Sequence, residues 1–196
     1  PEYRLLGVRV HAMTIDDWVE VVQEAASTSR RRIMVGQNLH SVYLVHRDPD
    51  LAAAQRLADF VRIDGLPLVA FARMLGHAVT TRHRSGFMDL LDPLLARLDA
   101  NGWTVYYLGS KPGVVERGLE VLRGRYPNAR LEGAHGYFDP DDPAQNDTVI
   151  DRINAVRPHV LVVGMGMPRQ ERWILRNHDR LHAPAIVASG AAIDYV

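Results

Sequence analysis

The chain has 196 residues, of which 47% are hydrophobic, a content that suffices for a sizeable core and excludes a disordered protein. Its 23 Lys and Arg balance 23 Asp and Glu, so the positive charge typical of nucleic-acid binders is missing and we expect no nucleic-acid partner. The absence of cysteine excludes disulfides, thiolate zinc sites and cysteine nucleophiles. The longest apolar stretches, such as residues 66–72, are shorter than a membrane-spanning helix, so we expect a soluble or peripheral chain.

Short apolar runs alternate with longer amphipathic stretches, which is typical of βαβ units around a mainly parallel sheet. Strands are predicted over residues 5–10, 33–35, 60–63, 105–108, 131–134, 160–164 and 185–188. Helices are predicted after the N-caps Thr14 and Asp48, and over residues 87–98, 114–125, 148–156 and 169–177. The sequence therefore predicts one α/β domain over residues 1–196, with a Rossmann-like, mainly parallel sheet and helices on both faces. Ligands of such sheets bind where loops leave the carboxyl ends of the strands.

Polar side chains follow the second and third predicted strands. Gln37 and Asn38 come after the second, and Asp64 comes after the third. Because parallel strands end at the same edge of the sheet, we expect these amide and carboxylate groups to lie on one side, where a base would be useful. The alternative is that Asp64 caps the next helix.

The fourth predicted strand runs into the turn Gly109-Ser110-Lys111-Pro112-Gly113, ahead of a helix. Lys111 and the free N–H groups of that helix would suit a phosphate. The spacing of a Walker loop is absent, and a plain strand-to-helix turn is the alternative.

The segment 164–173 passes directly from an apolar strand into a helix. Gly164 and Gly166 give half of a dinucleotide fingerprint, because the third glycine is missing. Gln170 and Glu171 fall in the first turn of the helix, where a hydroxyl-rich or anionic ligand would meet them. The alternative is that both side chains cap the helix.

Arg82 and Arg84 precede the helix predicted at residue 87. A guanidinium group can bind two phosphate oxygens at once, which favours a nucleotide diphosphate as the ligand. The alternative is that this segment is a solvated basic turn.

Neither the histidines nor the acidic pairs predict a metal site. The nine histidines show no ligand spacing. The Asp-x-Asp pairs at residues 48–50 and 139–141 are better explained as a helix cap and a polar loop, respectively.

Taken in order, the motifs resemble the WecG/TagA/CpsF family of bacterial glycosyltransferases over nearly the whole chain. The matching stretches include Asn38, Asp64-Gly65, the turn 109–113, His135-Gly136-Tyr137-Phe138, the segment 164–171, and Gly190 to Asp194. The combination of Gly-x-Gly-x-Pro-x-Gln-Glu with the two preceding motifs is specific to the family.

The resemblance implies transfer of a sugar from a UDP-sugar, of the N-acetylmannosamine type or a related hexose or uronic acid, to a polyprenyl-diphosphate-linked glycan. It implies inversion at the anomeric carbon, no cofactor and no metal. It also implies a cytoplasmic protein, peripheral to the inner face of the cell membrane, in the synthesis of teichoic acid or exopolysaccharide.

Residue roles follow from the same resemblance. Asp64 corresponds to the general base, and Asn38 and Gln170 correspond to residues of the sugar pocket. Tyr137 and Asp194 correspond to positions near the uracil end. A family arginine at the diphosphate corresponds to Arg82 or to Arg84, because an insertion leaves the alignment ambiguous.

Two departures from the family pattern stand out. Gly36 occupies a position where many members carry threonine. The chain ends at Val196, where full-length members continue into a basic appendage that contacts the membrane and supplies arginines. We therefore expect weak activity from these 196 residues alone, and self-association through an exposed apolar patch as a homo-oligomer.

Two other functions remain open from the sequence. A nucleotide-cofactor oxidoreductase is suggested by Gly164 and Gly166, and would bind NAD or NADP rather than UDP. A nucleotide-sugar binding module without catalysis would bind UDP and would not depend on Asp64.

Overall fold

The computed structural model describes residues 1–196 and contains one eight-stranded sheet. In chain order the strands are β1 (Glu2–Leu5), β2 (Val8–His11), β3 (Arg32–Gln37), β4 (Phe60–Ile63), β5 (Thr104–Gly109), β6 (Arg130–Ala134), β7 (Val160–Gly164) and β8 (Ala185–Ala188). They are arranged in the order β1-β2-β4-β3-β8-β7-β5-β6. Every pair is parallel except β1 and β2, so the predicted fold class is confirmed.

Eight α-helices connect and cover the strands. They are α1 (Ile15–Thr28), α2 (Leu39–Val45), α3 (Pro49–Leu57), α4 (Leu66–Met74), α5 (Phe87–Ala100), α6 (Val114–Arg125), α7 (Pro143–Val156) and α8 (Arg169–Asn177). Short 3-10 turns occupy Thr81–His83, His178–Arg180 and Ala192–Tyr195. No helix combines the length and the apolar character needed to cross a membrane.

The sheet is buried on both faces, as successive residues of its central strands show. In β7, Val160 and Val162 pack into one apolar cluster, whereas Leu161 and Val163 pack into the other. The helices α1, α5 and α6 cover the first face, and α2, α4, α7 and α8 supply buried residues to the second. The strands of a parallel sheet that has helices on both faces are apolar on both sides. The central strands could therefore be recognised in the sequence as short apolar runs.

The predicted single strand over residues 5–10 is wrong, because the chain forms a hairpin there. β1 and β2 pair antiparallel across a two-residue turn, with Leu5 opposite Val8. Leu6 and Gly7 both have positive φ, at 50° and 79°, as the tight turn of a hairpin requires. Leucine rarely adopts this conformation, so the sequence carried only the glycine as a turn signal.

Three helices differ from the prediction. The helix α2 was not predicted, and α4 was anticipated without bounds, only as the helix that Asp64 would cap. Each follows its strand after one or two residues and continues its apolar character. The helix predicted from residue 148 begins already at Pro143, where Asp142 caps it through a 2.9 Å hydrogen bond from the backbone N–H of Ala144. An Asp-Pro start of this kind is a recognised N-terminal signal.

The order of the strands determines where a ligand can enter. The chain places β4 on one side of β3 and returns with β8 on its other side, so β3 and β8 are neighbours although they are distant in sequence. The loops that follow these strands diverge to opposite faces of the sheet. A crevice therefore opens at the carboxyl ends of the central strands.

Candidate functional site

Two neighbouring cavities lie at this edge of the sheet. The first, called here the Asp64 cavity, has a volume of about 130 Å³ and is lined by Gly36, Asn38, Arg62, Asp64, Met167, Gln170, Glu171, Ala188, Ser189 and Gly190. The second, the Tyr137 cavity, has a volume of about 210 Å³ and is lined by Ser110, Lys111, Gly136, Tyr137, Gly164, Met165, Gly166, Arg169, Ala191 and Asp194. Residues of the two linings are adjacent in sequence along the loops after β7 and β8, as Gly166 and Met167 are, so the two cavities are neighbours.

Asp64 directly follows the end of β4, and its side chain does not hydrogen-bond to the backbone at the start of α4. The backbone N–H of Asp64 donates to the carbonyl of Gln37 at 2.8 Å. Gly65, not Asp64, is the N-cap of α4, and no side chain caps that helix. The capping alternative is therefore wrong, and the carboxylate is free to act on a ligand in the cavity.

Arg84, rather than Arg82, lies beside Asp64. A β-bridge pairs Arg84 with Ile63, the residue before Asp64. A Cβ added to Gly86 would lie 3.3 Å from Asp64 Oδ1 and 3.5 Å from an Arg84 guanidinium nitrogen, so both groups surround this glycine. Arg84 also forms an ion pair with Asp89 at 2.9 Å.

Arg82 lies outside both cavities. It belongs to the exposed 3-10 turn Thr81–His83 and makes no ion pair. Of the two arginines, Arg84 is therefore the one that lies next to Asp64.

Asn38 and Gln37 occupy different environments, although they are adjacent in sequence. Asn38 caps α2, with its Oδ1 accepting from the Ser41 N–H at 2.9 Å, and it also lines the Asp64 cavity. Its amide N–H groups remain for a ligand. Gln37 is fully buried on the opposite face of β3 from Gly36, and the structure brings it to neither cavity.

Gln170 and Glu171 are buried in the first turn of α8 and do not cap it, since Pro168 is the N-cap. Gln170 Nε2 donates to Glu171 Oε1 at 2.7 Å, and Gln170 Oε1 accepts from the Gly190 N–H at 3.1 Å. Burial raises the pKa of Glu171, and the Gln170 hydrogen bond and the nearby Arg62 oppose this. The pair joins the loops after β7 and β8 at the back of the Asp64 cavity.

The Tyr137 cavity carries the groups that suit a nucleotide diphosphate. Lys111 is exposed and without an ion pair, and Tyr137 is exposed at the rim. Ser110 donates a hydrogen bond to Asp194, and Arg169 donates to the carbonyl of Phe138. Neither Ser110 nor Arg169 was predicted as a site residue from the sequence.

The predicted phosphate cradle at the start of α6 is wrong in one respect. The N–H of Gly113 donates to Glu116 Oε2 at 2.6 Å, and those of Val114 and Val115 approach the Lys111 carbonyl. These backbone donors are already bonded within the turn. A phosphate would therefore depend on the Lys111 side chain instead.

Gly109 and Gly164 are explained by packing between neighbouring strands. A Cβ on Gly109 would lie 2.2 Å from the Gly164 carbonyl oxygen, and a Cβ on Gly164 would lie 2.0 Å from Tyr107 Oη. Gly166 differs, because it has φ of 78° and open space around it. It lets the loop turn at the Tyr137 cavity.

Arg62, like Ser110 and Arg169, is a residue of the site that sequence reasoning missed. It lies in β4, is 2% exposed and lines the Asp64 cavity. An arginine within the apolar run Phe60-Val61-Arg62-Ile63 was the available signal, because a charged residue in a strand covered on both faces needs partners.

Larger cavities exist elsewhere, so size alone does not identify the site. Two cavities of about 320 Å³ and 590 Å³ are lined by residues from the first 56 positions and contain none of the predicted site residues. No group of three or more His, Cys, Asp or Glu side chains is arranged to hold a metal ion.

Comparison with known proteins gives two findings. The family model described as "Glycosyl transferase WecG/TagA/CpsF family" matches residues 3–196. The chain is 31% identical over 137 residues to an N-acetylglucosaminyldiphosphoundecaprenol N-acetyl-beta-D-mannosaminyltransferase of Staphylococcus aureus strain NCTC 8325, covering 70% of this chain and 52% of that protein. The protein of the same name from strain MRSA252 is 30% identical over the same length. The chain thus spans about half the length of the curated relatives it matches.

Proposed function

Because the chain belongs to the WecG/TagA/CpsF glycosyltransferase family, we propose that it forms the donor-binding and catalytic core of a glycosyltransferase. The donor is a UDP-sugar of the N-acetylmannosamine type, and the acceptor is a glycan on a polyprenyl diphosphate. The names of the relatives support both the transferred sugar and the lipid-linked acceptor. The oxidoreductase alternative has no comparable support.

The observation that carries this proposal is that Asp64, whose side chain does not cap α4, lines one cavity of about 130 Å³ together with Asn38 and Gln170. As the acceptor hydroxyl oxygen forms its bond to the anomeric carbon, the bond from that carbon to the diphosphate oxygen breaks, and its electron pair leaves with UDP. The hydroxyl proton passes to Asp64. Attack on the face opposite the leaving group inverts the anomeric centre.

The nucleotide occupies the Tyr137 cavity. Asp194, held by Ser110, and the rim residue Tyr137 lie at its uracil end, and Lys111 and Arg169 offer positive charge to the diphosphate. Arg84, beside Asp64, lies at the reacting end. These cations neutralise charge that develops on the leaving group, so we propose a reaction that needs no divalent metal.

The acceptor reaches the Asp64 cavity from the membrane. A polyprenyl diphosphate keeps its hydrocarbon chain in the bilayer, so the cavity must face the inner leaflet when transfer occurs. We therefore propose a peripheral protein at the inner face of the cell membrane.

The test is Asp64→Asn in a transfer assay with UDP-N-acetylmannosamine, run on the whole protein with and without a metal chelator. We expect the rate to fall by about 10²–10⁴-fold, the usual contribution of a general base, while UDP affinity is retained. Asp151→Asn, an exposed carboxylate of α7, is the matched control and should transfer normally. Undiminished turnover by Asp64→Asn would contradict the assignment, and loss of wild-type activity in chelator would contradict metal independence.

A further inference from the structure

Arg62 is a buried cation held by backbone carbonyls rather than by an ion pair. Its guanidinium donates to the carbonyl oxygen of Ser85 and, at 3.0 Å, to that of Ala188. None of the ion pairs of the protein includes Arg62, and its Nε has no partner. A buried charge is costly, and its retention next to a cavity calls for a functional explanation.

The two carbonyls belong to different segments around Asp64. Ser85 precedes Gly86, the glycine that borders the Asp64 carboxylate, and Ala188 ends β8 at the back of the cavity. Arg62 itself is two residues before Asp64 in β4. One side chain therefore connects three segments that meet at the proposed base.

Gly36 provides the space for this guanidinium. Gly36 and Arg62 are register partners in neighbouring strands, and a Cβ at Gly36 would lie 3.3 Å from an Arg62 terminal nitrogen and 3.8 Å from Asp64 Cβ. The φ of Gly36 is not positive, so the backbone does not demand glycine there. The departure at residue 36 is thus explained by the arginine opposite it.

The charges around Asp64 come from four elements. Arg62 lies on its own strand, Arg84 on the following loop, Asp89 on α5 and Glu171 on α8. Arg84 is engaged by Asp89 at 2.9 Å. Burial lowers the pKa of Arg62, and Asp64 and Glu171 oppose this through their charges. Arg62 is therefore the cation near Asp64 that has no carboxylate directly bound to it.

We propose that Arg62 is a positioning residue of the transfer reaction, which fixes the segments around Asp64. This inference rests on the proposed function, since it assumes that Asp64 accepts the proton. Arg62 acts through Asp64 and through the backbone, and touches no reacting atom.

The experiment compares Arg62→Met, Arg62→Lys and Gly36→Ala in the whole protein, by kcat and donor KM. In Arg62→Met we expect kcat to fall by about 10- to 100-fold, with donor KM little changed, because the base is misplaced. Arg62→Lys keeps a donor for the two backbone carbonyls and restores part of kcat. Arg56→Met, an exposed arginine of α3, is the control for lost charge.

Gly36→Ala supplies an independent readout that leaves the charge in place. Its new methyl group displaces the guanidinium and lowers kcat. In the double variant Gly36→Ala/Arg62→Met, we expect kcat to lie within about twofold of that of Arg62→Met alone, because both changes act on one contact. If Arg62→Met fails to fold, the test rests on Arg62→Lys and Gly36→Ala. A wild-type kcat in both of these variants would overturn the proposal.

An unchanged kcat in folded Arg62→Met, a donor KM that rises in step with the fall in kcat, or additive losses with Gly36→Ala would also overturn it and leave Arg62 a structural residue. The proposed function fails separately, if Asp64→Asn transfers at the wild-type rate.

Discussion

Glu171 is fully buried, and only one of its carboxylate oxygens has a hydrogen-bond partner. Burial raises its pKa above the ordinary value of 4.5. The native state therefore binds this proton more tightly than the unfolded state does. The stability that the protonated side chain contributes is complete below pH 4.5 and is lost as the pH rises through the native pKa.

Glu171→Gln removes this titration while keeping an oxygen that can accept from Gln170. We expect the free energy of unfolding of the wild type to fall, relative to that of the variant, as the pH rises above 4.5. Urea unfolding of both proteins across this range measures the difference. Glu20→Gln, at an exposed carboxylate of α1, serves as the control. If the free energy of unfolding changes with pH in the same way in the wild type and in Glu171→Gln, the conclusion that burial raises the pKa of Glu171 is contradicted.

At the scale of elements, the junction between β5 and β7 depends on glycine. Gly109 and Gly164 pair in register at the ends of the two strands, beside the Tyr137 cavity. The atoms that a Cβ on Gly164 would meet include the backbone carbonyl oxygen of Gly190 at 2.6 Å, which cannot move aside as a flexible side chain can. The close approach of these strand ends shapes the side of the crevice that holds the Tyr137 cavity.

Gly164→Ala should therefore destabilise the fold, by about 1–3 kcal/mol as overpacking usually does. The matched control is Gly124→Ala in α6, where nothing lies within 4 Å of the new Cβ. There alanine should stabilise by up to about 1 kcal/mol, because it is the better helix former. Denaturant unfolding of both variants is the measurement, and equal effects of the same sign would contradict the packing explanation.

The elements that the sequence predicted well are those with a strong local signal. The strands β7 and β8 are unbroken apolar runs, and α1 and α3 begin at caps that the sequence displays. The hairpin was missed because Leu6 adopts a conformation that its side chain disfavours. The helix α2 was missed because Asn38, its cap, was assigned only to a ligand.

At the scale of the whole molecule, the order of the strands could not be derived from local patterns. Asp64, Gln170 and Gly190 follow three different strands, and only the sheet order brings them to one cavity. The position of Arg84 beside Asp64 and the burial of Arg62 depend on the same long-range contacts. Residue types at strand ends were predictable; their distances were not.

The most direct test of the central claim is a crystal structure of the protein with bound UDP-N-acetylmannosamine. We predict uridine diphosphate in the Tyr137 cavity and the sugar in the Asp64 cavity, with the carboxylate of Asp64 in reach of an acceptor oxygen about 3–3.5 Å from the anomeric carbon. A nucleotide bound away from these two cavities, or a sugar ring separated from Asp64 by other side chains, would contradict the claim.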